Sequence, residues 1–515
     1  MDWQTIPELV AWGAHRFGDR PAIEDGDVTV SYAELAERTR TVAAAALAHG
    51  LEPGDRAAIW APNRHEWVVA ACGLLSAGAT LVPLNTRFKG AEAAYALRKT
   101  RTRLLVTIGE FLGTDYAAML AGQDVPLLET VVRLRTPDWP EFLAAGASVP
   151  AGTVDERVSG VRPDDPSDII FTSGTTGRPK GAIATHAQTL RVFDVWSDIV
   201  GLVEDDRYLV VNPFFHTFGY KAGIIACLTR GATLLPQQVF DVDETLRRIE
   251  EQRITVLPGP PTLYQSLLSH PARREHDLSS LRLAVTGAAV VPVVLIERMH
   301  AELSLETVLT AYGLTEATGT VTMCRRGDDA KTVATTSGRA IPDVEVRVVD
   351  ASGAEVPRGE PGEVVVRGYN VMQGYFEEPD ETAKAFDADG WLHTGDVGVM
   401  DEQGNLRITD RIKDMYVVGG FNAYPAEIEQ ALARYDGVSE VAVIGVPDER
   451  LGEVGKAFVI PKPGSAPAPE EVIAWCRQEL ANYKVPRYVE IVDALPRNPI
   501  GKVLKYELRQ RHAST

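Results

Sequence analysis

The chain has 515 residues, of which 45% are apolar and 24% charged, the composition of a globular protein with more than one core. Its 52 basic and 71 acidic side chains sum to −19, so it has no bulk attraction for nucleic acid or an anionic lipid surface, and any anionic ligand must be held by a local site. Cys72, Cys227, Cys324 and Cys476 lie far apart without CxxC spacing, which argues against a disulfide framework or a zinc site.

In chain order, Met1-Asp2-Trp3-Gln4 lacks the basic and apolar segments of a signal peptide, and the expected compartment is the cytoplasm. Tyr32 to Ala48 is Ala-rich and predicts a helix, and Arg56 to Trp60 predicts a short strand. The apolar window Trp67–Leu84 is interrupted by Gly73, Ser76, Gly78 and Thr80. It therefore predicts a buried helix running into a strand at Thr80–Pro83, and not a stable membrane span. Further strands are expected at Leu104–Ile108, Tyr208–Asn212 and Thr255–Leu257. Helix-length spacing between strands predicts stacked βαβ units with mainly parallel sheets. No repeat at a solenoid period is visible.

From Val344 the pattern alternates to Asp350, and after a Gly/Pro-rich turn it alternates again from Gly362 to Arg367, which predicts a small antiparallel β unit. Near Arg411 a third texture begins: a short strand, a helix at Pro425–Tyr435, a strand at Ser439–Gly445, a Pro-rich loop at Pro461–Pro469 and another helix. The expected class is α/β: a large N-terminal domain, residues 1–411, of stacked βαβ sheets plus the small β unit, then a small mobile α+β domain, residues 412–515. The boundary falls at Ile412–Lys413.

The sharpest local signal is Ile169-Ile170-Phe171-Thr172-Ser173-Gly174-Thr175-Thr176-Gly177-Arg178-Pro179-Lys180-Gly181. A β-branched strand enters a run of hydroxyls and glycines, and a lysine follows. Glycines allow close backbone approach and positive φ, successive N–H groups and hydroxyls can form a nest for phosphate oxygens, and Lys180 adds charge. The spacing is not that of the P-loop nucleotidases, and by composition alone a surface turn is the alternative.

This segment resembles the signature of the adenylate-forming superfamily: acyl-CoA synthetases, luciferases and peptide-synthetase adenylation domains. The other motifs of that superfamily follow in order over nearly the whole chain. They are Asn212-Pro213-Phe214-Phe215-His216, Gly287-Ala288-Ala289, Tyr312-Gly313-Leu314-Thr315-Glu316 and Thr394-Gly395-Asp396. Asp410-Arg411-Ile412-Lys413-Asp414, Gly419-Gly420-Phe421-Asn422 and Pro499-Ile500-Gly501-Lys502 complete the set.

The resemblance implies an ATP-, Mg²⁺- and CoA-dependent ligase that activates a carboxylic acid as its adenylate. It implies that Thr172, Ser173, Gly174, Thr175, Thr176, Gly177 and Lys180 cradle the phosphates, that Thr315 contacts the α-phosphate and that Glu316 holds magnesium. Tyr312 would stack on adenine, with Gly287, Ala288, Ala289 and Gly313 supplying close backbone contact. Asp396, assisted by Arg411, would bind the ribose hydroxyls. Lys502 would meet the carboxylate and the α-phosphate, Lys413 would be the hinge, and Gly419-Gly420 would flank the pantetheine tunnel after a domain rotation. Phe421 departs from the polar or charged residue of some members, which puts a phosphate contact from that position in question.

For the acid, the resemblance points to a pocket at Phe215, His216, Tyr220, Lys221, Gly287 and Gly313, with a bulky apolar acid as substrate. Amino-acid-activating relatives carry an aspartate early in this region, and none stands between Asn212 and Cys227. Lys221 either meets a keto or carboxylate group of the acid or snorkels to water. The segments around His216 and Gly420 look most similar to actinobacterial ligases of steroid-ring propionates. Two alternatives stay open: a stand-alone adenylating enzyme loading a carrier protein or other nucleophile in trans, and a non-catalytic nucleotide-binding scaffold. A homodimer is also open.

Overall fold

The computed structural model describes residues 2–173, 179–287, 291, 293–350, 352–411, 415–423, 425–496, 503 and 505–513. Two sheets of the large domain carry the site. In the first, the parallel strands Thr130–Leu134, Leu104–Ile108, Arg56–Trp60, Thr80–Pro83 and Pro166–Ser173 lie side by side. Pro179–Thr185 and Gly374–Tyr375 then add antiparallel at one edge. The central strands are buried on both faces, which is why they read as continuous apolar runs.

In the second sheet, Val28–Ser31, Pro21–Asp25, Thr233–Pro236 and Arg207–Val210 are joined to Leu283–Gly287, Thr307–Tyr312, Thr322–Met323 and Arg339–Ala340. The joint is Val256, which bridges Tyr208 on one side and Leu283 on the other. The strand expected at Thr255–Leu257 is thus a single bridging residue: Pro258 has no N–H to continue a ladder, and Pro260 and Pro261 follow. The strand expected to reach Asn212 stops at Val210, three residues before Pro213. The parallel expectation holds for the middle of both sheets and for the Thr130–Leu134 edge of the first, and the other edges are antiparallel.

The β unit is antiparallel, ordered Val344–Val349, Pro361–Gly368, Leu392–Met400 and Leu406–Arg411. Buried apolar side chains from Trp3 to Leu406 form one core, and those from Tyr416 to Leu508 form another. The second core belongs to a smaller domain in which Val438–Asp448 and Gly452–Pro461 pair over their lengths, with Tyr416–Val418 and Phe421–Ala423 as an edge hairpin. Its first helix ends at Leu432, three residues short of the expected Tyr435. Among the described residues, no helix is long and apolar enough to cross a membrane, and all four cysteines are free and buried.

Candidate active site

A cleft of about 2470 Å³ runs between the two sheets, the β unit and the small domain. On one wall, Pro166–Ser173 and Pro179–Thr185 form an antiparallel pair whose register sets Lys180 opposite Thr172, so both side chains share a face. Glu316 follows the strand Thr307–Tyr312 in the turn Thr315–Ala317, and Met372 N donates to its carbonyl at 2.8 Å. Its Oε1 accepts from Tyr375 Oη at 2.9 Å and from Thr172 Oγ1 at 3.2 Å. Lys180 is buried, 5.0 Å from the Tyr375 ring centre, and its ammonium is paired with Glu381 from the helix Pro379–Ala385. Hydrogen bonds from Lys180 and then Lys384 hold the Glu381 carboxyl down to about 2. One carboxylate among hydroxyls is a donor set that suits magnesium, a hard ion that keeps several of its waters.

A second group lies where the two large-domain layers meet. Gly287 and Ala311 are paired on adjacent parallel strands, and a Cβ on Gly287 would stand 2.7 Å from the Ala311 carbonyl oxygen. A Cβ on Gly313 would approach the Gly319 oxygen to 2.1 Å, so only glycine fits there. The buried Tyr312 donates its hydroxyl to Asp396 Oδ2 at 2.6 Å, and the register of Leu392–Met400 sets Asp396 across from Arg411. Tyr312, Thr315, Glu316, Thr172, Lys180 and Asp396 therefore all border one cleft. Gly174, Thr175, Thr176, Gly177, Ala288, Ala289, Lys413 and Lys502, with the side chains of Ser173 and Arg411, lie outside the described residues.

At the far end, Phe215 and His216 line the cleft, whereas Phe214 is core and packs 5.3 Å from the Trp67 ring. His216 is exposed where it lines the cleft, and the protein around it pushes its pKa down to about 4. The neutral ring accepts from Phe218 N through Nδ1 at 3.2 Å, which leaves Nε2 as the protonated nitrogen.

Tyr220 and Lys221 correct the expectation. Residues Tyr220–Ile225 form a π-helical turn that directs Tyr220 onto Trp67 in the core, with ring centres 5.7 Å apart. Lys221 is 1% exposed and places Nζ 2.9 Å from Oδ1 of Asp168, itself 1% exposed. Lys221 neither borders the cleft nor reaches water: the buried Asp168 carboxylate fixes it in place. Ser167 Oγ donates to the other Asp168 oxygen at 2.7 Å.

The small domain closes the cleft with the Gly419-Gly420 turn of its edge hairpin. Both glycines have positive φ, 55° and 86°, as a two-residue hairpin turn requires. A Cβ on Gly420 would lie 3.7 Å from Pro260, so the tip of the turn abuts the large domain. Phe421 is sandwiched: the Arg87 guanidinium lies 4.1 Å over its ring, and Tyr483 stacks at 5.0 Å on it. Sequence reasoning missed Tyr375, Glu381, Asp168 and Arg87. None sits in one of the ordered motifs, and a single acidic, basic or aromatic residue carries no periodic signal wherever it lies in its element.

Residues 10–376 match the AMP-binding enzyme family, and residues 427–502 match the AMP-binding enzyme C-terminal domain. The chain is 52% identical, over 98% of each sequence, to a Rhodococcus jostii propanoyl:CoA ligase whose acyl group carries a 7a-methyl-1,5-dioxo-octahydro-1H-inden-4-yl ring system. Among solved structures it is similar to the o-succinylbenzoate CoA synthetase of Bacillus subtilis bound to a product analogue, with TM-score 0.82, 26% identity and 98% of each chain covered. It is also similar to ATP-bound MatB of Rhodopseudomonas palustris, with TM-score 0.71, 31% identity and 99% of each chain covered.

Proposed function

The chain belongs to the AMP-binding enzyme family and is an AMP-forming acyl-CoA synthetase; from that premise we propose that its acid is a bulky, keto-bearing bicyclic propanoate of the kind its Rhodococcus relative is named for. The observation that carries the reading is the convergence of Thr172, Lys180, Glu316, Tyr312 and Asp396 on one cleft that ends in the aromatic wall of Phe215 and His216.

In the first step a carboxylate oxygen of the acid attacks the α-phosphorus of ATP, and the bond to pyrophosphate breaks. Two anions must meet, so the task is to position and neutralise charge. Lys180 would leave Glu381 for the phosphates, and Thr172 and Thr315 would donate to their oxygens. Glu316 would hold Mg²⁺, which when bound supplies charge neutralisation to the phosphates. Tyr312 would pack on adenine, and Asp396 would accept from the ribose hydroxyls while Tyr312 holds its other contact. Lys502 would bridge the carboxylate and the α-phosphate.

In the second step the deprotonated sulfur of CoA attacks the acyl carbon, and AMP leaves with the electrons of the acyl–oxygen bond. The seated Gly419-Gly420 turn supports assigning the present arrangement to this step. So does the closer superposition on the complex with a product analogue than on the ATP-bound enzyme, despite the lower sequence identity of the former. Arg87 and Lys89, lining the mouth, would face the phosphates of CoA. His216, neutral and apolar-flanked, would wall the acyl group. Pyrophosphate release across a panel of acids, with and without CoA, tests the reading. The bicyclic diketo-propanoate should give AMP, pyrophosphate and a CoA thioester. AMP without any thioester, together with acylation of a carrier protein, would overturn it.

A further inference from the structure

Lys484 lies in the turn Asn482–Lys484 of the small domain and is 2% exposed, yet two carboxylates converge on it. Glu427 Oε1, from its own domain, is 2.6 Å away, and Glu92 Oε1, from the helix Gly90–Lys99 of the large domain, is 2.8 Å away. The ammonium also stands 5.1 Å over the ring of Phe88, again from the large domain. Beside it, Asn85 Nδ2 donates to Tyr483 Oη at 3.3 Å. The segment from Asn85 to Glu92 thus grips Phe421, Tyr483 and Lys484 across the domain seam.

One carboxylate suffices to pair a buried ammonium, and burying a second acidic group beside it carries a desolvation cost that needs a reason. Glu427 already satisfies Lys484 inside the small domain. Glu92 is therefore dispensable for the fold of that domain, and its contact exists only in this relative placement of the two domains. Its other oxygen, Oε2, accepts from Lys89 N at 2.9 Å and caps its own helix, so the side chain is held ready whether or not Lys484 is present. Burial draws the Lys484 ammonium toward neutrality, but Tyr483, Glu427 and Glu92 outweigh it and hold its pKa well above the ordinary lysine value. The ammonium is therefore charged at neutral pH, while burial raises the Glu427 carboxyl above its ordinary value.

We propose that Glu92 is a positioning residue for acyl transfer to the thiol: it clasps Lys484 only while the Gly419-Gly420 turn is seated against Pro260, and so sets the fraction of enzyme poised for the second step. This rests on the two-step ligase reading above. A domain that must swing away for the first step has to break the clasp in each turnover, so its strength shifts one half-reaction and not the other.

The test is Glu92→Gln in the full-length protein, with each half-reaction followed separately in single turnovers. Gln keeps an oxygen for the helix cap and removes the charge. Acyl transfer from preformed acyl-adenylate to CoA should slow about tenfold, the worth of one charged hydrogen bond. Adenylation from acid and ATP should be unchanged or faster, and Glu92→Asp should recover part of the transfer rate. Equal losses in both steps, or an unaffected transfer rate in a variant whose wild-type parent transfers well, would overturn the clasp alone. A wild-type enzyme that forms adenylate but never a CoA thioester would instead overturn the ligase reading beneath it.

Discussion

Lys221 and Lys484 are both buried to 2% exposure or less and both meet carboxylates at 2.6–2.9 Å, yet the two ion pairs belong to different kinds of structure. Lys221 and Asp168 sit inside one core: the aspartate lies on the strand that leads into the glycine-rich loop, and the lysine lies in the π-helical turn behind the wall formed by Phe215 and His216. Nothing has to part them. Lys484 has a permanent partner in Glu427 and a second one, Glu92, across a seam. The same chemistry serves as a fixed strut in the first place and as a releasable contact in the second. The topology around an ion pair, more than its distance, decides which.

The strongest way to break this comparison is to remove one partner of the fixed pair. Lys221→Met strands the Asp168 carboxylate in the core and should cost about 3–5 kcal/mol of stability, read by urea denaturation. Both half-reactions should then fall together, in proportion to the folded fraction. A loss confined to acyl transfer would show that the core pair, too, moves with the domains.

Glu316→Gln supplies the next largest effect and a scale for charge at the chemistry itself. Adenylation should drop about 10²-fold, as for other lost charge-stabilising groups, while folding stability stays close to wild type. Undiminished adenylation at limiting magnesium would take Glu316 out of the site. Smaller still is the effect expected of Asp168→Leu with Lys221→Met. With both charges gone the core should regain stability to within about 1 kcal/mol of wild type, because a buried pair is often worth little against apolar packing. A double variant as unstable as the single one would mean that the hydrogen bond from Ser167 to Asp168, and not the ion pair, holds the turn.

The mildest effect is a pH dependence of the large-domain core that holds the Lys221 pair. Burial, and then repulsion from the neighbouring Lys221, pushes His186 down to about 3. Its ring is neutral in the fold, whereas in the unfolded chain it binds a proton near pH 6.5. The stability it contributes is therefore present in full above about pH 6.5 and is lost as the pH falls toward 3. Urea midpoints between pH 7 and 4.5 should decline smoothly, and a flat profile would contradict the burial of this ring.

Much of the fold was legible because periodicity and punctuation were strong. Tyr32–Ala48, Arg56–Trp60, Thr80–Pro83 and Leu104–Ile108 begin and end where the pattern places them. Thr255–Leu257 misled because an apolar run before prolines looks like a strand even when only Val256 finds partners on both sides. At the site, glycines and hydroxyls in ordered motifs pointed to the cleft. Lys221 did not follow, since its neighbours in sequence gave no sign of Asp168, more than fifty residues earlier. Glu381, Tyr375 and Glu92 were invisible for the same reason: each acts through a partner far away in the chain.

On the function proposed above, this enzyme runs two half-reactions in two domain arrangements, and the one described here serves acyl transfer. Lys502→Ala, assayed in single turnovers for each step, tests it most directly. Adenylate formation from acid and ATP should collapse, while transfer from supplied acyl-adenylate to CoA should proceed at close to the wild-type rate. Equal losses in the two steps would contradict domain alternation and make Lys502 a structural residue.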